Sequence, residues 1–69
     1  MLINLEMVSK VKDFVQVSQS CTSEITLGSG KYIVDGKSIL GIFSLDLTKP
    51  LELTCDNEQD YAKFEQFKA

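Results

Sequence analysis

The chain has 69 residues, which is enough for one small domain over residues 1–69 and excludes a two-domain enzyme. Its formal net charge of −3 and its lack of a basic run argue against nucleic acid as a partner. With 43% hydrophobic and 25% charged residues the chain should fold, and no apolar run approaches the roughly 20 residues of a membrane span. Because the N-terminus also lacks the pattern of a signal peptide, we expect a cytoplasmic protein that does not bind membranes.

The N-terminal segment predicts a strand followed by a helix. Residues 2–7, LINLEM, show partial alternation and are too short for a helix. Ser9 offers a side-chain oxygen as N-cap, which places the first helix at about residues 10–21. The residues that recur on its buried face are Val11, Phe14, Val15, Ser18 and Cys21.

The middle of the chain predicts a hairpin and then a short helix. Residues 24–27 and 31–34 are rich in β-forming residues, and the glycines within 28–30 permit the positive φ of a tight reversal. Ser38 is placed to cap a helix of about two turns over residues 39–45, ILGIFSL.

The C-terminal part predicts a strand and a last helix. Residues 51–55, LELTC, follow Pro50 and alternate as a half-buried strand should. Asp56 or Asn57 can cap the helix that runs to the C-terminus. Its apolar face holds Tyr61, Phe64 and Phe67 with Lys68 near it, and its solvated face holds Glu58, Asp60, Lys63, Glu65 and Lys68.

The resulting order is β-α-β-β-α-β-α, which indicates an α+β fold. Such an order favours a four-stranded antiparallel sheet with helices on one face and water on the other.

The chain offers little chemistry of its own. Cys21 and Cys55 are expected to be small buried residues, and without any histidine they cannot complete a usual zinc site. The serines at 18, 20 and 23 have no histidine to act as a base. We therefore expect no metal, no cofactor and no enzymatic activity.

The triplet Gly36-Lys37-Ser38 has the ending of a phosphate-binding P-loop but lacks its context. The motif needs a glycine five positions before Gly36, where this chain has Lys31. Residues 31–35, KYIVD, form a strand-like run rather than a loop of free N–H groups, so we exclude a nucleotide site.

The triplet instead lies in a stretch that resembles the HPr family, the phosphocarriers of the bacterial sugar phosphotransferase system. The similar segments are VDGKSILGIFSL at residues 34–45, LELT at 51–54 and, upstream, DFVQVSQSCTSEITL at 13–27. The resemblance covers the chain from about Lys12 onward. It implies the family's open-faced β-sandwich, in agreement with the element order.

The resemblance fails at the family's active-site histidine, which lies just before the first helix with an arginine close by. Aligning Phe14 with the helix phenylalanine of the family without gaps places Met7 at the histidine position and Ser9 at the arginine position. Alternatively the active loop is deleted and LINLEM is itself the first strand. In both cases no phosphohistidine can form, because a thioether has no nucleophilic nitrogen.

Two features of the family can remain. The resemblance matches Ser38 to a serine that a dedicated kinase phosphorylates in Gram-positive members, although an N-cap role alone would also explain it. It also matches Ile39, Leu40 and Phe43 to an exposed patch that binds partners. We expect Ile42 and Leu45 to point inward and Leu40 and Phe43 to be at least partly exposed.

These features leave alternatives open. The first is a regulatory protein-interaction module of the sugar phosphotransferase system, with an HPr kinase or a transcriptional regulator as partner. The second is a structural or oligomer-forming remnant of the fold. The edge left by a shortened first strand would allow homodimerisation by strand addition or exchange. A third, active phosphotransfer, would require an unrecognised acceptor.

Overall fold

The computed structural model describes all 69 residues, Met1–Ala69, and confirms the predicted order of elements. The strands form one antiparallel sheet of order β1-β4-β2-β3, so the predicted α+β architecture is also confirmed. The elements are β1 (Leu2–Ile3), α1 (Val8–Ser20), β2 (Ile25–Ser29), β3 (Tyr32–Asp35), α2 (Ile39–Phe43), β4 (Leu51–Cys55) and a C-terminal 3₁₀ helix (Glu58–Phe67).

One face of the sheet and the helices enclose the core. In β4, Leu51, Leu53 and Cys55 are buried while the residues between them are exposed, as the two-residue period of a strand requires. The buried residues of α1 are Val11, Phe14, Val15 and Ser18, as predicted. The ring centroid of Phe14 lies 5.0 Å from that of Phe64 and 5.5 Å from that of Phe67, which joins α1 to the C-terminal helix.

The N-terminal elements differ from the prediction. The first strand covers only Leu2–Ile3 rather than residues 2–7. Ile3 pairs with Leu51, the first residue of β4, and the next residue, Asn4, donates its N–H to the Phe67 carbonyl at 2.8 Å. The predicted cap at Ser9 is wrong, because α1 begins at Val8 with Met7 as its N-cap.

The hairpin is tighter than predicted. Its strands extend to Ser29 and from Tyr32, which leaves Gly30 and Lys31 as the turn and places Gly28 inside β2. Gly30 has φ 59°, a conformation that suits the first position of a type II′ turn.

Two predictions about the helices in the second half are corrected. α2 ends at Phe43 rather than at residue 45. The last helix is 3₁₀, and its three residues per turn align Tyr61, Phe64 and Phe67 on one face. Asn57 caps it, accepting a hydrogen bond from the Gln59 N–H at 3.0 Å.

The two edges of the sheet are unlike each other. Lys68 forms a bridge with Ile3, and the Ala69 N–H donates to the Leu2 carbonyl at 3.0 Å. The C-terminal residues therefore cover the β1 edge, and the expectation of an open edge there is wrong. The open edge is β3.

Candidate functional site

The turn before α2 explains the glycine of the GKS triplet without any phosphate. The Gly36 N–H donates to the Ile25 carbonyl at 2.8 Å. A Cβ at position 36 would lie 2.7 Å from Cγ2 of Ile25 and 3.1 Å from its carbonyl oxygen. Glycine is therefore required because two backbone segments approach closely, not because a ligand does.

Lys37 connects the same turn to the end of α1. Its N–H donates to Oδ1 of Asp35 at 2.9 Å, and its Nζ donates to the carbonyl of Cys21, also at 2.9 Å. Cys21 is the C-cap of α1, where a positive charge is favourable. The lysine of the triplet thus has a structural partner.

Ser38 is the N-cap of α2, as predicted. It has extended backbone angles, φ −105° and ψ 111°, and its Oγ accepts a hydrogen bond from the Gly41 N–H at 3.2 Å. Its carbonyl accepts from the Ile42 N–H at 3.1 Å. The residue is partly exposed, and its side-chain oxygen satisfies one of the free N–H groups at the start of the helix.

We call Ile39, Leu40 and Phe43 the α2 patch. Leu40 is 80% exposed and Phe43 is 42% exposed, whereas Ile42 and Leu45 are buried, all as expected. Ile39 is half-buried against the core and lines a shallow groove of about 380 Å³ with residues of α1, among them Lys12 and Gln16. The structure brings the patch directly next to Ser38; its binding of a partner stays a prediction.

The start of α1 carries no phosphate acceptor of the histidine type. Met7 is 60% exposed and its side chain makes no capping hydrogen bond. Its carbonyl accepts from the N–H groups of Lys10 and Val11 at 3.0 and 3.1 Å. Residues 4–7 connect β1 to α1, whereas the deletion hypothesis took residues 2–7 as one strand that runs almost directly into the helix.

Both cysteines are buried free thiols, which matches their prediction as small core residues. Burial raises the pKa of Cys55 to about 11, with a further contribution from the negative charge of Asp60. A thiol with so high a pKa is a poor nucleophile at neutral pH. No group of three or more potential metal ligands occurs in the structure, and none of its helices has the length and hydrophobicity needed to cross a membrane.

Sequence reasoning missed a polar cluster at the other end of α1. It placed Asp60 on a solvated face, but Asp60 is only 6% exposed. Its Oδ2 accepts a hydrogen bond from the Ser23 hydroxyl at 2.5 Å, and Oδ1 lies 3.4 Å from Nζ of Lys63. The Ser23 hydrogen bond holds the pKa of Asp60 below its usual range. The only signal in the sequence was Lys63, which lies three residues after Asp60 and could have suggested that this carboxylate is paired.

The largest cleft lies elsewhere, between the hairpin turn and the segment before β4. It has a volume of about 600 Å³, and its charged lining residues are Lys31, Asp46 and Lys49. Asp46 accepts hydrogen bonds from the side chain and the N–H of Thr48, which lower its pKa. No residue of the α2 patch lines this cleft.

Comparison with known proteins finds a solved structure of similar fold. No protein-family model matches the chain, and no curated protein matches its sequence. The chain is similar to Crh, a catabolite repression protein of Bacillus subtilis, with 25% sequence identity and a TM-score of 0.68. The similarity covers 94% of this chain and 76% of Crh, whose crystal structure is described as an intertwined dimer with a swapped domain.

Proposed function

We propose that this chain, which has the fold of the HPr family, is a regulatory protein-interaction module related to the sugar phosphotransferase system. On this proposal it is a cytoplasmic bacterial protein, not an enzyme, and does not carry phosphohistidine. The observation that supports it most is the contrast between the two N-caps: that of α2 is a partly exposed serine beside exposed apolar residues, and that of α1 is Met7. The similarity to Crh supports a role in catabolite repression.

Phosphorylation of Ser38 is the proposed control. Ile39 and Leu40 follow the cap, and as the first residues of a helix their N–H groups have no partner within it. A phosphoryl group on Oγ would add nearly two negative charges and three strong acceptors next to these donors. It would also place those charges beside the α2 patch, so that a partner that binds the patch would distinguish the phosphorylated from the unphosphorylated protein.

The test is incubation of the full chain with ATP and an HPr kinase from the same organism, followed by mass spectrometry. We expect one phosphate, located on Ser38, and none on the Ser38→Ala variant. Ser44→Ala is the matched control, since Ser44 is an exposed serine at the other end of α2 and should leave labelling unchanged. An unmodified Ser38 in the folded wild-type chain would refute the proposed control.

The α2 patch is the proposed docking surface for the kinase and for a transcriptional regulator. Leu40 and Phe43 combine exposure with apolar character, and a charge introduced there would oppose burial in an interface. We expect Leu40→Asp and Phe43→Asp to weaken binding to the kinase at least tenfold in a direct titration. Leu2→Asp, at a comparably exposed residue of β1, should bind as the wild type does.

Loss of phosphocarrier activity has its own test. Incubation with enzyme I and phosphoenolpyruvate should leave no acid-labile phosphate on this chain, because Met7 has no nitrogen to accept it. A labelled chain would show that an acceptor other than histidine operates, and would overturn this part of the proposal.

The alternative is an oligomer-forming role without any link to the phosphotransferase system. The swapped, intertwined dimer described for Crh favours this alternative. It predicts a stable dimer whose formation and stability are the same in Ser38→Ala and Phe43→Asp, together with no phosphorylation by the kinase. Sedimentation of these variants tests the dimer, and the kinase assay separates the two functions.

A further inference from the structure

The β3 edge of the sheet is uncovered and carries apolar side chains. Tyr32 and Ile33 are each 74% exposed. At the opposite edge, by contrast, β1 is bridged by Lys68 through Ile3. An edge strand with free backbone groups and exposed apolar side chains invites pairing with another strand. The sheet can therefore be extended at β3.

The backbone of Ile33 points to that open side. Tyr32 lies opposite Ser29 across the turn, and the Gly36 N–H donates to the Ile25 carbonyl at 2.8 Å, so the even-numbered positions bond to β2. Successive residues of an antiparallel ladder direct their N–H and C=O groups to alternate sides. Ile33 thus presents both a donor and an acceptor outward.

We propose that β3 pairs antiparallel with β3 of a second copy of this chain, with Ile33 opposite Ile33. In that register the two Ile33 residues exchange two N–H···O bonds, and Lys31 of each chain lies opposite Asp35 of the other. Lys31 and Asp35 are exposed, and neither forms a salt bridge within its own chain. The positive charge just before β3 and the negative charge at its end are therefore complementary under two-fold symmetry.

The same charges disfavour the other pairings. A shift by two residues places Ile33 opposite Lys31 or Asp35, and a parallel in-register pair places like charges opposite each other, which is destabilising. Side-chain contact favours the same register. Within its own sheet, Ile33 lies opposite Gly28, so no side chain lies directly across from it until a second Ile33 supplies one.

Because the strand is short, the contact area should be below that of a standard interface, and the dimer should be weak. Sedimentation equilibrium of the full chain over a concentration series should show a reversible monomer–dimer equilibrium. Ile33→Lys should abolish it. Leu2→Lys is the matched control, because Leu2 lies in the same cross-strand row at the β1 edge and is also exposed.

A charge exchange tests the register itself. Lys31→Asp and Asp35→Lys should each weaken self-association by about tenfold, since two attractive pairs become repulsive. An equal mixture of the two variants should restore dimers, because each altered position then lies opposite a charge of the other sign. Circular dichroism verifies that both variants are folded.

Four outcomes would overturn the proposal: a monomer at every concentration, a dimer unaffected by Ile33→Lys, a mixture that fails to restore association, or loss of the dimer in Leu2→Lys. The last would assign the dimer to exchange at β1. None of these measurements depends on Ser38 or on its kinase, so this proposal and the proposed function can fail separately.

Discussion

The two helices begin in different ways, and the difference separates structural need from chemistry. The N-cap of α1 is Met7, whose side chain makes no capping bond, while the N-cap of α2 is Ser38, whose Oγ caps the helix. α1 has 13 residues and four buried side chains, so packing holds it without a cap. α2 has 5 residues, of which only Ile42 is buried, so its turn and its cap matter more. Ser38 therefore has a structural role as a cap, and a regulatory role would be additional to it.

The largest expected effect comes from the turn that fixes the start of α2. In Gly36→Ala the new methyl group would meet Cγ2 of Ile25 at 2.7 Å and its carbonyl at 3.1 Å, and this β-branched side chain has little freedom to move. We expect a loss of about 1–3 kcal/mol in the free energy of unfolding, measured by urea denaturation.

Gly28→Ala is the matched control for that variant. A Cβ at position 28 would have its nearest neighbours at 3.6 and 3.7 Å, which is ordinary contact. This variant should be as stable as the wild type or slightly more stable. Equal stability of both variants would mean that the close approach at Gly36 does not constrain the turn.

The cap itself should contribute less. Ser38→Ala removes the acceptor of the Gly41 N–H and should cost about 1 kcal/mol of unfolding free energy. Ser38→Asp retains an acceptor at the cap and should recover most of that loss. Two variants of equal stability would indicate that α2 is held by its packing alone, and the contrast with α1 would disappear.

At the start of α1 the expected change has the opposite sign. Met7→Asp supplies a capping oxygen and a negative charge where neither exists, at a side chain that is 60% exposed. We expect a gain of up to about 1 kcal/mol relative to Met7→Ala, which removes the thioether without adding a cap. Thermal denaturation of the two variants measures the difference, and a destabilised Met7→Asp would contradict an uncapped start.

Most of the fold could be predicted from the sequence because its signals are local. The alternation in LELTC and the apolar face of α1 gave the correct burial, and Ser38 was correctly placed as the cap of α2. The N-terminal strand could not be bounded in this way, because its length depends on distant partners: Ile3 pairs with Leu51, and the Asn4 N–H bonds to the Phe67 carbonyl. A long-range constraint of this kind leaves no local pattern.

In the candidate site, too, the features that depend on contacts between distant residues were the ones that the sequence did not predict. The exposure of Leu40 and Phe43 was predicted correctly, because the resemblance to the HPr family matches them to an exposed patch. The burial of Asp60 was missed, because its partner Ser23 is 37 positions away in the chain. The covered β1 edge was missed for the same reason, since Lys68 reaches Ile3 only in the folded chain.

The smallest expected effect concerns the other end of α1, where the Ser23–Asp60 hydrogen bond ties the loop after the helix to the C-terminal helix. The hydrogen bond from Ser23 lowers the pKa of Asp60 in the folded state, so its stabilisation is complete above the unfolded pKa of about 4. It is lost as the pH falls through the folded pKa. A protonated carboxyl still accepts a hydrogen bond, which limits the loss.

Melting temperatures from pH 7 down to pH 2 should therefore fall less steeply below pH 4 in Ser23→Ala than in the wild type. Ser20→Ala, at an exposed serine whose hydroxyl bonds only to the Val17 carbonyl, should follow the wild-type curve. Identical acid slopes in all three proteins would show that α1 is anchored at this end by packing, as it is at its start.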